Sequence, residues 1–270
     1  MDISASLIQM SKYFRLDISH AVYEEVSVCG KNTLPYNRLF MVTAAVEPER
    51  AYIANHSIEP VQVIKLIPGQ LYFMPKNQQL EFHFAPGVTV VAFHFTMELF
   101  PGIDLFDDET LFKEAPVPEY ILKNLLELWR QPNTIGNIAI MHSYVYSMLG
   151  MFSDKTLKEL HKRREVMKQF ESLLQHIEEK ADAQTTIGQL AEYCNLAQDA
   201  LSKRFIRASG DSLKNYLTRQ LIRKASQMLL TGDYKIKEIA EILNFTSEYY
   251  FCRFFKKHTG MRPGEYRESI

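Results

Sequence analysis

The sequence predicts an α+β multidomain chain, with a β-sandwich or small barrel and packed helices over residues 1–182 and an all-α domain of two helix-turn-helix units over 183–270. Three observations carry that expectation. Short β-favouring runs fill the first third of the chain, apolar residues at helical spacing take over from about Glu119, and one short pattern recurs fifty residues apart in the tail.

The β-favouring runs are 23–29, 38–45, 51–55, 61–67, 70–74, 80–84 and 88–96, separated by Pro35, Pro48, Pro68-Gly69, Pro75 and Pro86-Gly87. Proline and glycine end a ladder or turn the chain, so each run reads as one strand. Many short strands at this spacing enclose an interior, which can be plain core or a ligand cavity.

Helices follow. Glu119 to Gln131 sets Ile121, Leu122, Leu125, Leu126, Leu128 and Trp129 over a broad face, and Ile135 to Phe152 is apolar nearly all round. The second pattern belongs to a helix sandwiched between other elements or buried against a partner subunit. Lys155 to Lys180 is charged, with a thinner stripe of Leu157, Leu160, Val166, Phe170, Leu173, Leu174 and Ile177, and reads as the way out of the front half. The joint then falls at 181–185.

In the tail, Ile187, Leu190, Ala191, Asn195, Leu196, Leu201, Phe205 and Gly210 are matched by Ile236, Ile239, Ala240, Asn244, Phe245, Phe251, Phe255 and Gly260. Each copy reads as a short amphipathic helix, a tight turn and a second helix. Thr186 and Gln189 have capping-box spacing, which starts the first helix. Ala191 and Ala240 stand where two helices cross, and a small side chain lets them approach. Asn195 and Asn244 fall in the turns, where positive φ is needed and Asn is the best tolerated residue after Gly. Leu201 and Phe205 face inward, as do Phe251 and Phe255. That leaves Gln198, Asp199, Ser202 and Lys203 outside in one copy and Glu248, Tyr249, Cys252 and Arg253 outside in the other, with Ser247 as an N-cap. Such groups can address base edges in a major groove, while Arg204, Arg207, Lys256 and Lys257 sit where a helix meets backbone phosphates. Leu213 to Leu230 forms a stiff helical spacer. Two heads on one face of a duplex would make contacts about one turn apart, roughly 34 Å.

Charge agrees with this division. The chain holds 31 Lys and Arg against 32 Asp and Glu, but residues 183–270 hold fourteen against nine, leaving seventeen against 23 in front. Only the tail is suited to a polyanion. Cys29, Cys194 and Cys252 are too few and scattered for a disulfide framework or a zinc site, and Cys194, after an apolar stripe, is expected to be buried. No run approaches eighteen uncharged apolar residues, and Asp2, Gln9 and Lys12 do not fit a signal segment, so a soluble, cytoplasmic protein is expected.

From Ala225 to Arg267 the tail closely resembles the DNA-binding domain of the AraC/XylS family of bacterial transcription regulators. The resemblance runs through Ala225, Leu229, Leu230, Ile236, Ile239, Ala240, Asn244-Phe245, Tyr250-Phe251, Arg253, Phe255-Lys256-Lys257, Thr259-Gly260, Pro263 and Tyr266-Arg267. The first copy matches more loosely, through Leu190-Ala191, Phe205, Gly210, Ser212 and Tyr216-Leu217. The resemblance implies seven helices in this domain, two recognition helices in successive major grooves, and Leu213 to Leu230 as the linker. Asn195 and Asn244 replace a usual Gly, Ala197 a usual hydroxyl cap, and Leu221 a usual Arg. The front 182 residues look like the cupin-type regulatory domain often joined to this tail, through the turn and strand pattern of Leu66 to Phe84.

For an effector in the β interior, Arg38, Phe40, Tyr72, Met74 and His83 stand on alternating strand positions; they suit a sugar, an aromatic acid or a fatty acid, or serve as core. A one-residue slip would reverse the choice of face. His83 and His94 lack the HxH and carboxylate arrangement of a metal-binding cupin, so no metal or cofactor is expected. The eight His residues are dispersed and no nucleophile motif surrounds a Ser or Cys, which argues against an enzyme. The expected partners are double-stranded DNA, a small-molecule effector, a second copy through the front domain or its helices, and RNA polymerase if the chain activates, with no membrane. A module whose helices bind another protein, with the helix-turn-helix architecture inherited, is the alternative, and a cupin-type enzyme acting on a small molecule comes after it.

Overall fold

The computed structural model describes residues 15–27, 29–100 and 103–268, which fall into two compact units. One comprises Leu16–Met97 and Phe106–Lys155; the other gathers Glu98–Leu105 and the residues from Thr156 onward.

The strands are β1 (Arg15–Val26), β2 (Cys29–Thr33), β3 (Asn37–Ala44), β4 (Tyr52–Asn55), β5 (Gln62–Lys65), β6 (Gln70–Met74), β7 (Gln79–His83), β8 (Val88–Phe100), β9 (Ile103–Asp104) and β10 (Lys113–Pro116). They form two sheets, one ordered β1-β8-β3-β6-β10 with β9 on β8, the other β2-β7-β4-β5. In the first sheet Phe40 lies opposite Tyr72 and Ala92, and Arg38 opposite Met74 and His94. Side chains alternate along a strand, so these residues share one face. That face closes on Ile53, Leu66, Leu80 and Phe112 to make one buried cluster.

The other face of the first sheet is buried too. Leu39, Met41, Phe73, Phe93 and Phe95 are fully covered, Phe73 lies 4.7 Å from Phe106 and 5.7 Å from Phe152, and Phe93 lies 5.8 Å from Trp129. Two helices in this unit, α1 (Glu119–Leu128) and α2 (Ile135–Gly150), supply further buried residues, Ile121, Leu125, Val145, Met148 and Leu149. A strand covered on both faces has no reason to alternate, which accounts for the unbroken apolar run of β3. The run read at 23–29 is in fact divided between β1 and β2. β2 (CGKNT) and β10 (KEAP) carry little β preference and are held as edge strands by their partners β7 and β6. Within this unit α2 is covered only toward its C-terminal half; Ile135 is 88% exposed, and Ile138, Ile140 and Tyr146 are exposed as well.

In the second unit the charged segment from Lys155 is two helices, α3 (Leu157–Lys168) and α4 (Glu171–Lys180). Phe170 breaks the run between them and sets its ring edge-on to Phe205 at 5.3 Å. In α4, His176 stacks on Tyr193 at 4.1 Å and Ser172 shares a 2.7 Å hydrogen bond with the Tyr193 hydroxyl. These contacts place α4 with the helices that follow, so the compact unit begins at Thr156 where the sequence reading drew a boundary after 182. The remaining helices are α5 (Ile187–Tyr193), α6 (Gln198–Ser209), α7 (Leu213–Thr231), α8 (Ile236–Ile242), α9 (Glu248–Thr259) and α10 (Pro263–Glu268). Six helices thus lie within the described part of 183–270, where the resemblance implies seven, and α3 and α4 precede them in the same unit.

The long helix α7 is fixed on several sides. Arg223 and Glu98 form a buried ion pair, Arg219 pairs with Asp211, and Lys224 donates to the Ala181 carbonyl at 2.8 Å.

Candidate nucleic-acid interface

The two helix-turn-helix units repeat each other down to single hydrogen bonds. Asn195 and Asn244 hold φ of 52° and 56°, and the residue after each donates back to the crossing alanine, Leu196 to Ala191 at 2.9 Å and Phe245 to Ala240 at 2.8 Å. A left-handed residue costs Asn less than most side chains, so the turn closes without Gly. Both second helices end on a left-handed Gly, where Gly210 donates to Ile206 at 2.8 Å and Gly260 to Lys256 at 2.9 Å. In each last turn a hydroxyl donates to the core phenylalanine's carbonyl, Ser209 to Phe205 and Thr259 to Phe255, both at 2.8 Å. Leu201, Phe205, Phe251 and Phe255 are fully buried.

The starts of these helices differ. The Ser247 hydroxyl accepts from the Tyr250 amide at 3.2 Å, whereas Ala197 offers no side-chain cap to α6. The capping box at Thr186 and Gln189 forms at the head of α5, with the Thr186 amide donating to Gln189 at 2.8 Å.

At about 100° per residue, the direction opposite the buried pair of α6 is marked by Asp199, Ser202, Lys203 and Ile206, and that of α9 by Tyr249, Cys252, Arg253 and Lys256. All are exposed except Ser202 and Cys252, which are half-buried. Arg253 lies 5.8 Å over the Tyr249 ring, which holds its guanidinium beside the helix. Gln198 and Glu248 are exposed at the two N-termini, and Arg207 and Lys257 are exposed at matching places near the C-termini.

Arg204 departs from the set. It donates to Gln169 at 3.0 Å, and its counterpart in the second unit is Phe254, which packs on Phe245 and His258. The place matching Lys256 belongs instead to Ile206, which carries no polar group.

The joint read at 181–185 is tied to the second turn. The Asn244 side-chain amide donates to Asp182 at 2.9 Å, Gln184 donates to the Asn244 carbonyl at 3.1 Å, and the Ala183 amide donates to Leu243 at 2.9 Å. Burial raises the Asp182 carboxyl, but hydrogen bonds from Asn244, Gln184 and Thr185 outweigh it and hold the carboxyl below its ordinary value. Beside α9 an open groove of about 920 Å³ is lined by Gln184, Leu221, Tyr250, Arg253, Phe254 and Lys257, among others. Cys194, expected in the core, is half-buried, and burial raises its thiol, as it does that of Cys252.

In the β unit, Arg38, Phe40, Tyr72 and Met74 do share the inward face. Tyr72 is fully covered, and its hydroxyl donates to the Lys65 carbonyl at 2.7 Å and accepts from the Ile67 amide at 2.9 Å. Arg38 donates to Asn32 at 2.8 Å. Across the pair from Arg38, burial drives the His94 imidazole well below its ordinary value, with the charges of Arg38 and His20 adding to it. Its Nδ1 is buried with no hydrogen-bond partner among the described residues. His83 is not brought to this group. Phe82, its neighbour on β7, packs on the inner cluster, so the alternation turns His83 outward. There Cys29 Sγ lies 2.8 Å from His83 Nδ1 and the Tyr52 ring stacks at 5.5 Å. No group of three or more metal-ligating side chains occurs among the described residues.

The geometry defines a class of architecture, a β-sheet unit and a helical unit that carries two helix-turn-helix motifs. A helix-turn-helix domain model matches residues 190–269. The chain is 26% identical over 153 residues to the uncharacterized HTH-type transcriptional regulator YijO of Escherichia coli, covering 57% of this chain and 53% of that protein. It is 24% identical over 155 residues to the raffinose operon transcriptional regulatory protein RafR of Pediococcus pentosaceus, covering 56% of each. The chain thus spans about half the length of these curated relatives. Over its full fold it is similar to an apo crystal structure of ToxT from Vibrio cholerae, with a TM-score of 0.60 and 12% identity over 95% of this chain and 97% of that one. A ToxT structure with bound unsaturated fatty acid gives 0.52 and 14% over 94% of each. The tail is thus similar to the helix-turn-helix regions of these regulators, and the fold as a whole, sheets in front and helices behind, is similar to that of ToxT. No helix among the described residues is long and apolar enough to cross a membrane.

Proposed function

We propose that this chain is a cytoplasmic, sequence-specific transcription regulator that reads duplex DNA with α6 and α9, and that it is not an enzyme. One observation carries the reading: two helices with matching hydrogen-bonded turns before them and matching glycine ends turn Asp199, Ser202 and Lys203, and Tyr249, Arg253 and Lys256, to the outside. A charged side-chain row on a helix that follows a tight turn has the chemistry for base edges and phosphates. The test is selection by the full chain from a randomised duplex pool, followed by affinity for an enriched duplex and for a scrambled one at the same salt. Enrichment and a ratio of about a thousand or more support the reading. Equal affinity for both sinks it and favours a protein partner.

The front unit is proposed to hold a carboxylic acid with an apolar body. Arg38 beside His94, over Phe40, Tyr72 and Met74, supports an acid end and an apolar end in one interior. Addition of an unsaturated fatty acid or an arylalkanoic acid is expected to raise the unfolding temperature of the full chain, and Arg38→Met to abolish that rise. A rise that persists in the variant removes Arg38 from the site. A second copy is proposed to cover Ile135, Ile138 and Tyr146 on α2, so that Ile138→Glu shifts sedimentation toward monomer. If the chain activates, RNA polymerase is the further partner.

A further inference from the structure

The outward row of α6 ends on an apolar residue. Ile206 is 47% exposed, and it follows Asp199, Ser202 and Lys203 at the spacing i, i+3, i+4, i+7. Four side chains at this spacing are what a helix lying in a major groove offers to base edges, as the homeodomain recognition helix does. The equivalence of Ile206 with Lys256 does not depend on sequence alignment, since each supplies the carbonyl to which the terminating glycine donates. Lys256 has a long stem and a charge and can reach a phosphate or a guanine. Ile206 can do neither.

Its exposed neighbours are charged. Ile206 lies within about 20° of Asp199 round the helix and about 60° from Lys203, in the row turned to base edges, while Arg207, about 100° away beyond Lys203, is the cation suited to a backbone phosphate. An apolar group in that row faces the floor of the groove when Arg207 meets the backbone. The feature of that floor which is apolar and differs between bases is the C5-methyl group of thymine. Resting on the DNA-reading role proposed above, we propose that Ile206 is a specificity-determining residue which packs on a thymine methyl in the half-site under α6, giving the first head a base preference that the second, with Lys256, lacks.

The test uses the full chain and a duplex enriched from a randomised pool. Each thymine in that duplex is replaced singly by deoxyuridine, which removes the methyl and leaves the hydrogen-bonding edge intact. One replacement is expected to weaken binding by about fourfold, the value of one methyl withdrawn from water. With Ile206→Ala the same replacement should change affinity by less than about 1.5-fold, while the slope of affinity against salt stays that of the parent because no charge is lost. Ile206→Lys should keep overall affinity and, in a fresh selection, move the preferred base at that position from thymine toward guanine. Thymines that are all insensitive in the parent, or a sensitive one that stays equally sensitive in Ile206→Ala, overturn the proposal and leave DNA reading intact. A pool in which the parent enriches nothing overturns both. Because Ile206 is exposed, its variants keep the buried Leu201 and Phe205 that hold the helix.

Discussion

The first and second heads are alike in their turns and helix ends, and unlike at the starts of their second helices and wherever a side chain meets the outside. Asn195 and Asn244, Gly210 and Gly260, Ser209 and Thr259 make the same bonds at nearly the same lengths. The outward rows share no residue type: Asp199, Ser202, Lys203 and Ile206 against Tyr249, Cys252, Arg253 and Lys256. The first row pairs one acid with one base, and the second carries two cations, of which Arg253 lies over the Tyr249 ring. A turn that must hold positive φ and a helix that must end on schedule tolerate few residues, while a groove-facing row is free to follow its target. Under the proposed reading of DNA, the difference assigns more of the anchoring to the second head and more of the discrimination to the first.

The largest effects should test the likeness. Phe205 packs on Phe170 and Tyr216, and Phe255 on Phe251 and Tyr266, so each closes one head's core. Phe205→Ala and Phe255→Ala are each expected to cost about 3–5 kcal/mol in urea unfolding. Similar losses support matched skeletons, and a loss under about 1 kcal/mol in either would break the match. Arg253→Ala comes next. It should cost about 1–3 kcal/mol of specific binding and relax preference at one or two base pairs. Lys256→Ala should weaken all duplexes alike and lower the salt slope by about 0.9; an unchanged slope removes it from the phosphate contacts.

The caps allow the difference to be exchanged. Ser247→Ala is expected to lose about 1 kcal/mol of stability, and Ala197→Ser to add a similar amount by giving α6 the bond that α9 already has. Amide exchange at the start of each helix reads the two effects separately. An Ala197→Ser chain whose first-turn amides exchange as fast as the parent's would mean that another group already serves those donors.

Much of this was legible in the sequence because it is local. The capping box, the Asn turns and the glycine stops are set by partners within five residues along the chain, and the inward Leu and Phe positions show in their spacing of four. What could not be read joins distant segments. The Asp182–Asn244 bond spans 62 positions, the Arg204–Gln169 bond 35, and the Cys29–His83 contact 54. Strand register sorted Arg38, Phe40, Tyr72 and Met74 to one face, but His83 stands one residue from the inward Phe82, and alternation is unforgiving of one step. Ile206 was missed for another reason. Chemistry-bearing residues were sought by polarity, and the informative group there is a hydrocarbon.

The smallest expected effect concerns a group that only the second head contains. His258 is half-buried in the last turn of α9, 4.8 Å from the Phe254 ring, at the place held by Ala208 in α6. Helix carbonyls at that end favour a charged imidazole, but burial, aided by the adjacent Lys257 charge, prevails and holds His258 below its ordinary value of 6.5. Between 6.5 and the lower native value the unfolded chain binds a proton that the native chain resists, so stability is complete above 6.5 and falls as pH falls through that window. Going from about pH 7.5 to about 5.5, amide protection in α9, corrected for intrinsic exchange, should therefore fall more than in α6. His258→Gln should erase that excess while leaving α6 unchanged. An excess that survives the substitution would assign the acid sensitivity of the second head to its carboxylates, and the two heads would then differ in surface alone.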